Sequence, residues 1–207
     1  MVSFHIGSLK VGFDFSFFAV MAIFFALDDS GYGIFCIAAC LCHEAGHLAL
    51  LLITGDIPPE LIFSGSGICI KQEGEVSIPV LAAGCTVNFI LFIIFYFFLE
   101  QDSVYKLMFA GSNLCIGAMN LLPIGELDGK KLLERFFTAF LPFKAAQRAL
   151  YISELAGFAL AAVAVAILLL SGTINITSVF QLAHTYGYLL PLLQSENHTY
   201  KNDSLRK

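Results

Sequence analysis

Apolar runs long enough to cross a lipid bilayer recur along almost the whole chain, at residues 14–27, 33–54, 79–99, 104–122, 147–170 and 177–194. A helix that spans the hydrocarbon core needs about 20 residues. The runs therefore predict an all-α polytopic membrane protein of about six transmembrane helices. The first run is short, and the last is interrupted by Gln181, His184 and Pro191. Composition leads to the same expectation. The chain is 58% hydrophobic and only 13% charged, with a mean hydropathy of +0.82, whereas soluble domains carry about a quarter charged residues. Such a chain cannot cover a globule with polar side chains. Its net charge of −5 gives no sign of a nucleic-acid partner.

Two stretches between the runs differ in kind. Residues 60–78 are broken by glycine, with short β-prone pieces at Leu61–Phe63 and Gly67–Lys71. They predict a β-hairpin-like insertion between the second and third spans. Residues 123–146 hold one amphipathic stretch, Lys130–Phe140, bounded by Pro123 and Pro142. A single domain over 1–195 and a polar, disordered tail over 196–207 complete the expected layout. The N-terminus lacks the charged region and cleavage site of a signal peptide, so the first apolar run is expected to stay as a helix. The six cysteines (36, 40, 42, 69, 85 and 115) lie almost entirely inside apolar runs and read as small buried side chains.

Charge sets the orientation. With six spans, one side collects Lys10, Lys71, Lys130, Lys131, Arg135, Lys144, Arg148, Lys201, Arg206 and Lys207, ten of the eleven basic residues. The other side has Lys106 against Asp28, Asp29, Glu100 and Asp102. The positive-inside rule makes the first side cytoplasmic, and with it both termini.

The chemistry begins with His43-Glu44-Ala45-Gly46-His47, inside the second run. Histidines at i and i+4 stand one turn apart on one helix face, so both imidazoles can reach one Zn²⁺. Glu44 beside the first ligand can take a proton from a water that zinc has acidified to a pKa of about 7. Two histidines and a glutamate within one span are costly, which favours a functional reading over a polar cluster that glues helices. Cys40 and Cys42 cannot both join His43 around an ion, since residues two apart on a helix face different ways.

Zinc held by two histidines needs at least one more protein ligand and an open position for water. His5, His184 and His198 lie in polar termini or in the weak last run. Asp128 is the better candidate, because it follows a run broken by Pro123 and Gly125. Unwound backbone at membrane depth is tolerated where it is buried in protein or lines a cavity. On the residues alone, Asp128 reads equally well as the N-cap of the Lys130–Phe140 helix.

The pairing of His43-Glu44-x-x-His47 with Asn120-Leu-Leu-Pro123-Ile-Gly-Glu-Leu127-Asp128-Gly129 resembles the site-2 proteases, intramembrane zinc metalloproteases of regulated intramembrane proteolysis. The compact six-span layout looks most like the branch that processes a membrane-tethered pro-sigma factor during sporulation. The resemblance covers residues 30–135. It implies that Asp128 is the third ligand of one Zn²⁺ ion, and that Asn120 binds substrate or stabilises the oxyanion, a fitting task for an amide donor. Two departures stand out. The family often has Gly-Pro-x-x-Asn at the start of the third span, where this chain has Gly84-Cys85-Thr86-Val87-Asn88. A second glycine commonly follows Asp-Gly, where this chain has Lys130.

The expected function is therefore cleavage of a membrane-spanning or membrane-tethered protein near the cytoplasmic side, by a multi-pass protein of the bacterial plasma membrane. A regulatory membrane partner would gate it. The edge of the 60–78 hairpin either receives an extended substrate by β-augmentation or is a simple structured loop. Three other readings are a metalloprotease for prenylated or soluble peptides, a metal transporter and a catalytically inactive metal-binding relative. The first lacks its usual downstream glutamate ligand, the second lacks a path of intramembrane acids, and the third has no need of Glu44.

Overall fold

The computed structural model describes residues 1–170, apart from 8, 29–30, 56–57, 59, 65–66, 72–75 and 100–102. The last apolar run, 177–194, and the polar tail lie outside the described residues. Two compact units divide the chain, Met1–Leu121 and Leu122–Lys207.

The first unit opens with a sheet. Strands β1 (Val2–Ile6) and β2 (Leu9–Phe13) pair antiparallel, β2 pairs parallel with β3 (Glu60–Ser64), and β3 pairs antiparallel with β4 (Gly67–Lys71). The hairpin expected at 60–78 is present as β3 and β4. It is one half of a four-stranded, mixed sheet, so the all-α expectation is corrected to a mostly helical fold with a small sheet. The N-terminal half comes from the strict alternation Val2-Ser-Phe4-His-Ile6 and Leu9-Lys-Val11-Gly-Phe13, joined at Gly7 with φ of 62°. The β2–β3 seam is held by a Lys10–Glu60 ion pair of 2.9 Å and by the stacked rings of Phe13 and Phe63, 4.5 Å apart.

Four helical stretches follow in this unit. Helix α1 spans Phe15–Leu27 behind Asp14, whose carboxylate accepts from the Phe15 N–H and the Ser16 hydroxyl. Those two donors hold the Asp14 carboxyl below the ordinary carboxylate range. Helix α2 is Gly33–Thr54, matching the second apolar run end to end. It stops at Gly55, which takes a φ of 81° and returns its N–H to Leu51 and Leu52. Helix α3 runs from Ile78 to Ile93 with Pro79 in its first turn, then passes into a π-helical turn, Ile94–Phe98. Helix α4 is Val104–Asn120.

Small residues let α2, α3 and α4 approach closely. A β-carbon added to Gly46 would lie 2.9 Å from the Ala83 carbonyl oxygen and 2.9 Å from Val87 Cγ2. One added to Gly117 would lie 3.2 Å from Asn88 Cβ. This is the small-residue packing by which apolar helices associate when lipid supplies no hydrophobic drive between them. Ala39, Leu51, Val80, Leu81, Cys85 and Ala110 fill the contact, together with fully buried Asn88 and Asn113.

In the second unit the turns at Leu122–Leu127 lead into α5 (Asp128–Phe140), and α6 follows as Phe143–Leu170. The expected break at Pro123 and Gly125 is present, with Gly125 at φ of 55°. Glu154 of α6 is buried. It accepts from the Gly125 N–H at 3.1 Å and from Lys130 Nζ at 2.9 Å.

Among the described residues, two helical stretches are long and apolar enough to cross a membrane, Gly33–Thr54 and Ile78–Phe98. Their apolar residues are mostly not consumed by packing. Leu41, Leu52, Ile53, Ile90, Ile94 and Phe97 face outward, as do Phe15, Phe18 and Phe25 of α1. A soluble monomer rarely leaves so continuous an apolar surface bare.

Candidate metal centre

Helix α2 presents His43 and His47 one turn apart on its buried face, at 3% and 7% exposure. The two rings meet edge to face, with Nε2 of one 3.1 Å from Nε2 of the other. What each ring does at its other nitrogen decides the chemistry here.

His47 Nδ1 lies 2.6 Å from the Val80 carbonyl oxygen on α3. A carbonyl only accepts, so that nitrogen carries the proton and Nε2 carries the lone pair. His43 Nδ1 lies 2.7 Å from Oδ1 of Asn88. The orientation of the Asn88 amide is set by its other end, where Nδ2 donates to the Ala39 carbonyl at 3.0 Å and to Asn113 Oδ1 at 2.8 Å. Its oxygen is thereby turned to His43, whose Nδ1 must also donate. Both Nε2 lone pairs then point into the same small space. Two neutral imidazoles that face each other in this way repel, and a cation between them removes the repulsion. Tetrahedral zinc with Zn–N bonds of about 2.0–2.1 Å would hold its nitrogens roughly 3.4 Å apart, close to the spacing seen.

That space depends on Gly84. A β-carbon there would lie 2.7 and 2.8 Å from Cε1 and Nε2 of His43, and closer still to His47 Nε2. The donors, their tautomers and the clear volume fit a zinc ion. Each ring is also anchored at Nδ1 by an oxygen acceptor, the outer-shell arrangement that metal-ligating histidines use.

Glu44 follows His43 on α2 and is half-buried. Asn120 is half-buried at the last residue of α4, where its Nδ2 donates to the Ile116 carbonyl at 3.0 Å. Asp128 belongs to the second unit. It is the first residue of α5, and the capping position is Leu127, with no side-chain capping bond. Asp128 is therefore not the N-cap that the sequence also allowed. Cys40 is exposed and Cys42 half-buried on α2, and Cys36 meets the Ser112 hydroxyl at 3.5 Å. His5 sits in β1, and His184 and His198 lie outside the described residues.

Two contributors escaped the sequence. Val80 acts through its backbone oxygen, which no side-chain motif reports. Asn113 gave a faint signal as a polar residue in an apolar helix. Asn88 stands where the family pattern places an asparagine, and the replacement of proline by Cys85 leaves it in contact with His43.

No protein-family model matches the chain, and no curated protein matches it by sequence. Among solved structures, it is similar to the site-2 protease from Methanocaldococcus jannaschii, with 18% identity and a TM-score of 0.60. The similarity covers 91% of this chain and 94% of that one. The fold of this chain is the site-2 protease fold.

Proposed function

We propose that this chain is an intramembrane zinc metalloprotease, with one Zn²⁺ held by His43, His47 and Asp128. The observation that carries the reading is the buried histidine pair. Its two Nε2 atoms lie 3.1 Å apart, with Glu44 next in sequence to His43, on a helix long and apolar enough to span a bilayer. Asp128, the first residue of α5, is the third ligand that the resemblance in sequence implies. The match in fold and the Asn120–Gly129 motif support the same assignment.

Zinc bound there would supply Lewis acidity and a water acidified into the neutral range. Glu44, next to His43, would serve as the proton carrier, taking a proton from the attacking water and giving it to the leaving amine. Asn120 contacts the substrate or the developing oxyanion through its amide. His43 lies about 15 Å and His47 about 21 Å along the 22-residue helix from Gly33, so the pair straddles the middle of the helix and leans toward the end that Gly55 caps. In a six-span layout with both termini cytoplasmic, a transmembrane or membrane-tethered protein is cut near its cytoplasmic end, as in regulated intramembrane proteolysis. The bilayer and a gating membrane partner complete the setting.

The test is co-expression with a library of single-span substrates, comparing wild type with Glu44→Gln. Processing is expected to vanish in the variant, and unchanged processing refutes hydrolysis. A transporter or an inactive metal binder would keep its zinc and process nothing in either form. Zinc content is expected to fall in His43→Ala, His47→Ala and Asp128→Ala. Full stoichiometry in Asp128→Ala removes that residue from the centre.

A further inference from the structure

Three helices contribute to a run of one-way hydrogen bonds that ends on a candidate ligand. The Phe109 carbonyl can only accept, so Asn113 turns its Nδ2 toward it at 2.9 Å. That leaves Asn113 Oδ1 facing α3, where it accepts from Asn88 Nδ2 at 2.8 Å. Asn88 must then offer its own Oδ1 to His43 Nδ1 at 2.7 Å. Both asparagines have no exposed surface, so no water competes for these bonds. Turning any one amide over would set donor against donor or acceptor against acceptor at each step. An Asn88 turned the wrong way would present an NH₂ group to His43, favouring the tautomer with its proton on Nε2, which cannot bind metal.

We propose that Asn113 of α4 is a positioning residue for the metal centre, acting through Asn88 to fix the tautomer and ring orientation of His43. The inference rests on the reading of His43 as a metal ligand, and goes beyond it in assigning a role to a residue outside both motifs. Ala39 offers Asn88 a second acceptor, so the loss of Asn113 weakens the centre without abolishing it. Partners of this kind typically contribute 10- to 100-fold in metal affinity, and the shared duty places Asn113 near the lower figure.

Asn113→Leu keeps the branched outline of the side chain and removes the acceptor. Asn113→Asp, held as a neutral acid in its buried place, keeps a carbonyl for Asn88 and an O–H for Phe109. The purified full chain in detergent is stripped of metal and titrated with Co²⁺, reading the visible ligand-field bands, and with Zn²⁺ against a competing chelator. Asn113→Leu is expected to weaken both metals about tenfold and to alter the cobalt bands. Asn113→Asp is expected to restore both readouts. Melting of the metal-free forms is followed in parallel. Unchanged affinity and bands in Asn113→Leu, whether or not its melting falls, make Asn113 a packing residue and overturn the proposal. Failure of Asn113→Asp to restore the bands overturns it as well. A His43→Ala control that binds metal like wild type sinks the metal-centre reading itself, an outcome separate from these.

Discussion

A β-carbon on Gly84 would occupy the space between the two histidines, whereas one on Gly46 would strike the Ala83 carbonyl oxygen. These two glycines, on facing helices, therefore fail in different ways when replaced by alanine. Gly84→Ala gains up to about 1 kcal/mol of helix propensity but fills the volume an ion needs. It is expected to lower zinc affinity at least tenfold and, because the anchored rings of His43 and His47 must shift away from the new β-carbon, to lower metal-free melting as well. Gly46→Ala meets rigid backbone and forces α2 and α3 apart, at a cost of about 1–3 kcal/mol. Its metal-free form is expected to melt lower. Zinc affinity lost as strongly in Gly46→Ala as in Gly84→Ala would contradict this division. The same residues show how far the sequence could be read. The meeting of His43 and His47 on one face was legible because two histidines at i and i+4 are a local property of one helix. The tautomers were not, because they are set by Val80 and Asn88 on α3 and by Asn113 on α4. Contacts between distant segments leave no spacing to count.

Among the elements, the turns before α5 have the most to lose from a single change in a neighbour. Helix α6 braces them. A β-carbon on Gly157 would lie 3.0 Å from side-chain atoms of both Pro123 and Ile124, and Glu154 binds the Gly125 N–H and Lys130 together. Lys130 was visible in the sequence as a departure from the family's second glycine. Its partner was not, since Glu154 lies an entire helix further on. Glu154→Leu strands a half-buried ammonium and an amide, which costs about 2–4 kcal/mol. Glu154→Gln keeps an acceptor for Gly125 and should lose less. Adding Lys130→Met to Glu154→Leu is expected to recover part of the loss, measured as the midpoint of denaturant unfolding in detergent. No recovery in the double variant would mean the ion pair is incidental to the turn. The sheet shows a similar limit of legibility. Gly67–Lys71 and Leu61–Phe63 were readable as a hairpin from their glycine breaks. The equally regular alternation at 2–13 is short and abuts an apolar run, and its place in a sheet rests on pairing with β3, beyond α1 and α2 in the chain, which leaves no local signal.

For the molecule as a whole, the sheet constrains sidedness more directly than the charge count does. Strands β2 and β3 run parallel in register, Lys10 beside Glu60 and Phe13 beside Phe63, with Asp14 N–H donating to the Phe63 carbonyl at 2.8 Å. The chain that leaves β2 through α1 and returns through α2 must therefore start and finish at the same place. If α2 crosses the bilayer, α1 has to cross it the other way, although its 13 residues reach only about 20 Å, short of the roughly 30 Å core. Local thinning of the bilayer makes up such a deficit. For such a crossing pair, the positive-inside rule applied to Lys10 and Lys71 predicts a cytoplasmic sheet, with the turn at Gly31–Tyr32 on the other side. In a chain freed of its six native cysteines, single cysteines at Ser3 and Tyr32 test this with a membrane-impermeant maleimide on intact cells. Tyr32→Cys is expected to label at once, and Ser3→Cys only after the membrane is opened. Labelling of both sites in intact cells, or of neither, would show that α1 and α2 do not form a crossing pair. It would also remove the membrane depth on which cleavage near the cytoplasmic face depends.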